Sequence, residues 1–180
     1  MKRSKLIKLA LLVFAAYFLP HSVMAQDKDA EKMITESSNA KTEFIKTDPS
    51  MATLFESSYG YVIFPHIGKG GFIVGGSGGN GVLYEKGTPI GEVKTGQVTV
   101  GAQIGGQAYR EVIFFENEDA LGRMKASKME FSSQISAVAV KSGVSKNAKY
   151  TDGALVFTQD LGGLMAEATV GGQKFKYKSF

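Results

Sequence analysis

The segment YVIFPHIGKGGFIVGGSGGNG, Tyr61–Gly81, decides how this chain is read. It sets two short apolar runs, Tyr61–Phe64 and Phe72–Val74, among eight glycines. Apolar runs bounded by Gly and Pro predict β-strands joined by tight turns. Clustered glycine also lets a backbone approach other groups closely. Pro65 closes the first run, which places His66 in a surface turn. Gly75–Gly81 reads as a flexible or tightly turned hairpin loop.

Outward from this segment, the period-two pattern continues. Val98, Val100, Ala102 and Ile104 alternate with Thr99, Gly101, Gln103 and Gly105, which predicts a half-buried strand. Val112–Phe115 is apolar on both faces and predicts a central strand. Glu130–Val140 alternates with small residues, and Ala154–Thr158, Leu164–Thr169 and Gln173–Tyr177 read as further strands. Asn117 is placed to cap a helix over Glu118–Lys125.

Upstream the period is that of a helix. In Asp27–Lys46, Ala30, Met33, Ile34, Ser37, Ala40 and Phe44 recur at steps of three and four. Lys28, Lys32, Glu36, Lys41, Glu43 and Lys46 occupy the other positions. Asp48 and Pro49 suit the N-cap and first helical position of a short helix over Pro49–Ser57. The expected fold is α+β: N-terminal helices packed on a curved, glycine-rich, mainly antiparallel sheet or partly closed barrel.

Residues 1–25 read as a cleaved signal peptide, with Lys2, Arg3, Lys5 and Lys8 before the apolar run Leu9–Leu19. That run is shorter than the ~20 residues a spanning helix needs. Residues 26–180 are expected to form a single domain beginning with the amphipathic helix 27–46, in the periplasm and peripheral to a membrane. The 21 basic and 17 acidic residues of the whole chain become 17 of each once the leader is removed. A neutral domain lacks the basic footprint of a nucleic-acid binder. With no cysteine in the chain, disulfides and thiolate chemistry are excluded.

Two motifs suggest chemistry and fall short of it. Gly75-Gly76-Ser77-Gly78-Gly79 matches the nucleophile-elbow pattern, but a strand follows where a helix is required, and His66 precedes Ser77. Gly76–Gly81 matches a dinucleotide fingerprint without the following helix or the acid about 20 residues on. One histidine after the leader and no cysteine make no typical zinc site. Neither a cofactor nor a metal is expected. The tail Lys174–Phe180 reads as an edge strand with gatekeeping lysines, or alternatively as an interfacial contact with lysines near phosphates. A terminal Phe raises an outer-membrane barrel as a minor alternative. It places Lys174, Lys176 and Lys178 toward lipid, on strands expected to be too short to span.

From Thr47 to Tyr177 the chain resembles the SYLF domain family. The resemblance is carried by Gly60-Tyr61-Val62-Ile63-Phe64-Pro65, Lys69-Gly70-Gly71-Phe72, and the glycine run through Gly79 and Gly81. It continues through Gly101-Ala102-Gln103-Ile104-Gly105-Gly106-Gln107, Val112–Phe115, Asp119-Ala120-Leu121 and Gly162–Ala166. The resemblance implies a non-enzymatic, lipid-associated module. Eukaryotic members bind phosphoinositides with the help of an N-terminal amphipathic helix. Here Gly71 stands where many relatives have Ala, and the helix carries Glu beside Lys. The expected partner is therefore a phospholipid surface of the envelope. Lys28, Lys32, Lys41, Lys46 and Lys69 would meet phosphates, and Phe44 and Phe72 would supply apolar contact. A protein-interaction module that pairs with a partner or itself through a sheet edge is the alternative.

Overall fold

The computed structural model describes residues 21–71, 74–100, 107–129, 131, 137–161 and 172–180. The chain divides into two compact units, Met1–Met33 and Ile34–Phe180. The described part of the first is helical. It is the start of α1, His21–Thr47, which begins earlier than the hydrophobic stripe predicts. Among the described residues no helix is long and apolar enough to cross a membrane.

In the second unit α1 ends at Thr47 and α2 follows as Met51–Ser57. Asp48 does not cap α2 as expected. Its buried carboxylate accepts from Ser50 N at 3.1 Å and from Ser145 N at 2.9 Å, tying this corner to a 3-10 turn at Val144–Asn147. Burial alone would raise its pKa, but the hydrogen bonds from Ser50 and Ser145 outweigh that and hold it well below the usual carboxylate range.

Among the described residues seven strands form one sheet: β1 Gly60–Gly71, β2 Val74–Glu85, β3 Thr88–Val100, β4 Gln107–Phe115, β5 Val138–Ala139, β6 Ala154–Asp160 and β7 Lys174–Ser179. Their order is β5-β6-β4-β1-β2-β3-β7, antiparallel except for the β5–β6 pair. The architecture is α+β, as expected, and β4 is central, as its two-sided apolar run requires. The helix α3, Glu118–Lys125, follows β4, and Asn117 Oδ1 accepts from Ala120 N at 3.0 Å.

Two expectations around Tyr61–Gly81 are corrected. Pro65 does not end a strand. β1 runs through it to Gly71 by way of a bulge, since three steps from Ile63 to His66 oppose two from Val82 to Asn80. A bulge is where a central strand tolerates a residue with no N–H. His66 is therefore in a strand and not in a turn. Nor is Gly75–Gly81 a loop: it is the first half of β2, paired on both sides. The tight turn comes later, at Lys86-Gly87, where φ is 50° and 81°, the left-handed conformations of a two-residue hairpin. The strands β1–β3 are 12 to 13 residues long, so the shortness expected of them is also corrected. The expected strand over Leu164–Thr169 and most of that over Glu130–Val140 lie outside the described residues.

The sheet is strongly curved. Gln173, just before β7, donates through Nε2 to Glu111 Oε2 of β4 at 3.2 Å. These strands are four steps apart in the order, which on a flat sheet is about 19 Å. The concave face buries Val62, Phe64, Ile67, Ile113, Phe115 and Phe175 against Leu121 and Met124 of α3.

Candidate functional site

The convex face of the sheet has two halves, divided by the Pro65 bulge. On one side Tyr61, Ile63, Val82, Tyr84 and Phe114 are buried, and so are Ala40 and Phe44 of α1 and Met51 and Phe55 of α2. Tyr61 and Tyr84 stack with ring centroids 4.8 Å apart. Tyr84 Oη donates to Ser37 Oγ at 3.1 Å. Lys41 Nζ donates to Tyr61 Oη at 3.3 Å and lies 4.8 Å from the centre of the Phe55 ring. Burial pulls the Lys41 pKa down, opposed by Glu56, and pushes Tyr61 up to about 12. This half is closed by helix.

Beyond the bulge the same face is open. Strand alternation and register place successive rows on it. Asn80 of β2 lies between His66 and Lys94. Next comes a row of three glycines, Gly68, Gly78 and Gly96, and then Gly70, Gly76 and Val98. All are exposed, and Val98 is 79% exposed. The edge strand β7 extends the rows, with Lys176 opposite Lys94 and Lys174 opposite Gly96. Lys94 also pairs with Glu92 at 3.6 Å. The result is a floor of bare backbone bordered by ammonium groups.

Three of these glycines differ from others in the same strands, whereas a Cβ on Gly76 or Gly78 would lie 3.3 Å from the carbonyl oxygen of Gln97 or Thr95. A Cβ on Gly81 would lie 2.6 Å from both Ile63 O and Phe64 Cδ1, and one on Gly60 would lie 2.6 Å from Tyr84 O. There the fold itself demands glycine. A Cβ on Gly68, Gly70 or Gly96 would meet nothing within 4 Å. Glycine inside a strand costs about 0.5–1 kcal/mol relative to alanine. At these positions no contact inside the described chain offsets that cost.

The residues chosen from sequence in the second unit do not converge on this face. Lys28 and Lys32 are exposed on the first part of α1, and Lys46 is exposed near its end, 3.8 Å from Glu43. Phe44 is corrected as a membrane contact: at 0% exposure it has no surface to offer. Lys41 is likewise engaged by aromatic rings. Lys69 lies on the concave face of β1, half-exposed, opposite Ser77 and Gln107. Of the family-motif positions, Gly79 joins Gly60 and Gly81 in close contact with neighbouring strands, Phe64 is in the core, and Gly71 pairs with Gly75 at the end of the β1–β2 ladder. Phe72, Gly101, Gln103 and Gly105 lie outside the described residues.

Ser77 and His66 point to opposite faces. Ser77 sits mid-strand and donates to Gln97 Oε1 at 3.3 Å, so neither the elbow nor the base of a hydrolase is assembled there. Among the described residues no three His, Asp or Glu side chains gather as metal ligands. Sequence reasoning missed Lys94, Val98 and the glycine row. The alternation of Lys174, Lys176 and Lys178 was visible, but its placement beside Gly96 depends on the β3–β7 register.

The free edge of β7 is partly taken. Tyr177 N donates to Ser127 Oγ at 3.0 Å, and Gly172 N to Phe131 O at 3.0 Å. With lysines along it, this edge is protected against strand addition.

An α+β fold with a half-covered, half-bare sheet face is thus the class of protein that these residues define. No family model matches the chain. The chain is similar to Beta cell expansion factor A of Aeromonas veronii, 28% identical over 149 residues that cover 78% of this chain and 54% of that protein. The chain therefore spans about half the length of the curated relative it matches.

Proposed function

We propose that this chain is an exported, non-enzymatic domain that binds phospholipid at a membrane surface, and that the bare end of its sheet makes the contact. The observation that carries this reading is the border of exposed lysines, Lys94, Lys174 and Lys176, beside a floor of glycine and the exposed Val98. The SYLF resemblance supports the ligand class. Anionic headgroups meet the ammonium groups. The floor carries no side chains to hold a headgroup layer away from the backbone, and Val98 adds apolar contact at its rim. Contact of this kind needs no cofactor, metal or nucleic acid, and the periplasm is where such an exported domain meets its membrane.

Each lysine near an anionic surface contributes about 1 kcal/mol. Replacing Lys94, Lys174 and Lys176 together by Ala should therefore weaken binding roughly a hundredfold. Co-sedimentation with vesicles of anionic and of purely zwitterionic lipid at low salt tests the reading. Selective binding to the anionic vesicles, lost in the triple variant and screened by salt, is the expected result. Absence of binding to both vesicles by the native chain removes the proposal. The edge-pairing alternative is weakened by the lysines along β7 and by the bond from Tyr177 N to Ser127 Oγ at its edge.

A further inference from the structure

We propose that a protonated Glu111 carboxyl pairs with the Gln173 amide to hold edge strand β7 to the body of the sheet, and that loss of this proton releases β7. Glu111 is 0% exposed on the concave face of β4, and Gln173, 1% exposed, immediately precedes β7. Gln173 Nε2 donates to Glu111 Oε2 at 3.2 Å. Among the described residues the other polar atom of each group, Glu111 Oε1 and Gln173 Oε1, is buried with no hydrogen-bond partner.

Those two orphans belong to the same pair. In a carboxylate both are acceptors and have nothing to exchange. With a proton on Glu111, its O–H becomes a donor and Gln173 Oε1 its acceptor. The two groups then form the two-bond ring of an acid and an amide. One proton satisfies both atoms, and each buried unsatisfied atom would otherwise cost about 1–3 kcal/mol.

The surroundings favour the neutral acid. On the same face β1 presents Phe64 and Ile67, with Lys69 two rows further on. β6 presents Thr158, opposite Glu111, and the acid Asp160 one row on, opposite Tyr109. Ser77 comes from β2, and Thr95 and Gln97 from β3. Tyr109 is the titratable neighbour on β4. Burial first, and then Glu111, hold its phenol well above the usual range, against hydrogen bonds with Ser77 and Gln173. Burial pushes Glu111 up to about 8, with the Gln173 bond opposing.

The consequence falls on β7 because, among the described residues, it is an edge strand paired with β3 alone. The folded state keeps a proton that a solvated carboxyl releases above about pH 4.3. Between that value and about 8, every opening that exposes Glu111 therefore becomes roughly tenfold easier per pH unit, and it levels off above.

Amide hydrogen exchange of the intact chain, expressed as protection factors at pH 6 and pH 8, reads this directly. The amides of Phe175–Lys178 should be less protected than those of Val62 and Val82 at both pH values. Their protection should fall roughly fiftyfold between them. In Glu111→Gln, where an amide replaces the acid, that fall should vanish. Three results would overturn the proposal: β7 protection that is flat with pH in the native chain, β7 protection equal to that of Val62 and Val82, or an unchanged pH slope in Glu111→Gln. The first two are read on the native chain and do not depend on the variant folding. The inference stands whether or not the convex face binds lipid.

Discussion

The two halves of the convex face share strands and register, yet they have opposite surfaces. Up to the Pro65 bulge, β1 and β2 carry Tyr61, Ile63, Val82 and Tyr84, all buried. Past it they carry His66, Gly68, Gly70, Gly76, Gly78 and Asn80, all exposed. Covering a sheet face with helix requires large side chains on it, because they supply the area removed from water. A face stripped to glycine gives a helix nothing to pack on. What it offers is close access to backbone. The first half explains how the domain holds together, and the second is where something outside the chain has room to approach.

The comparison breaks first, and with the largest effect, at the covered half. Phe44→Ala should destabilise by about 3–5 kcal/mol, the range for emptying a buried aromatic site, as read by denaturant unfolding. A loss below about 1 kcal/mol would mean that α1 does not close this half. Gly81→Ala tests a glycine that packing demands. Its Cβ would sit 2.6 Å from Ile63 O and Phe64 Cδ1, so destabilisation of about 1–3 kcal/mol is expected. The smallest effect, and of opposite sign, belongs to the bare half. Changing Gly68 and Gly96 together to Thr should leave stability unchanged or raise it by about 1 kcal/mol, since neither Cβ meets an atom and β-branched residues favour strands.

Much of this architecture was legible in the residues. The stripe through Ala40 and Phe44 gave α1 its buried face, the apolar Val112–Phe115 run gave the central strand, and Asn117 gave the start of α3. The alternating lysines of the tail gave an edge strand. What was hidden depended on partners distant in sequence. Pro65 and the glycines are signals that end strands locally, and only pairing on both sides carries β1 and β2 through them. Phe44 fits a docked helix and a membrane-facing one equally well until the sheet beneath it is seen. Glu111 directly precedes the apolar run Val112–Phe115 without any local cue to Gln173, 62 residues away.

The domain's outward-facing backbone at Gly68 and Gly96 is held here to serve a ligand and not the fold. The most direct test is the Gly68→Thr, Gly96→Thr chain, measured for unfolding and for anionic-vesicle binding side by side. It should unfold at the same or higher denaturant concentration while its vesicle affinity drops roughly fivefold, about 1 kcal/mol. A chain that is destabilised, or that binds vesicles as the native one does, would contradict the account.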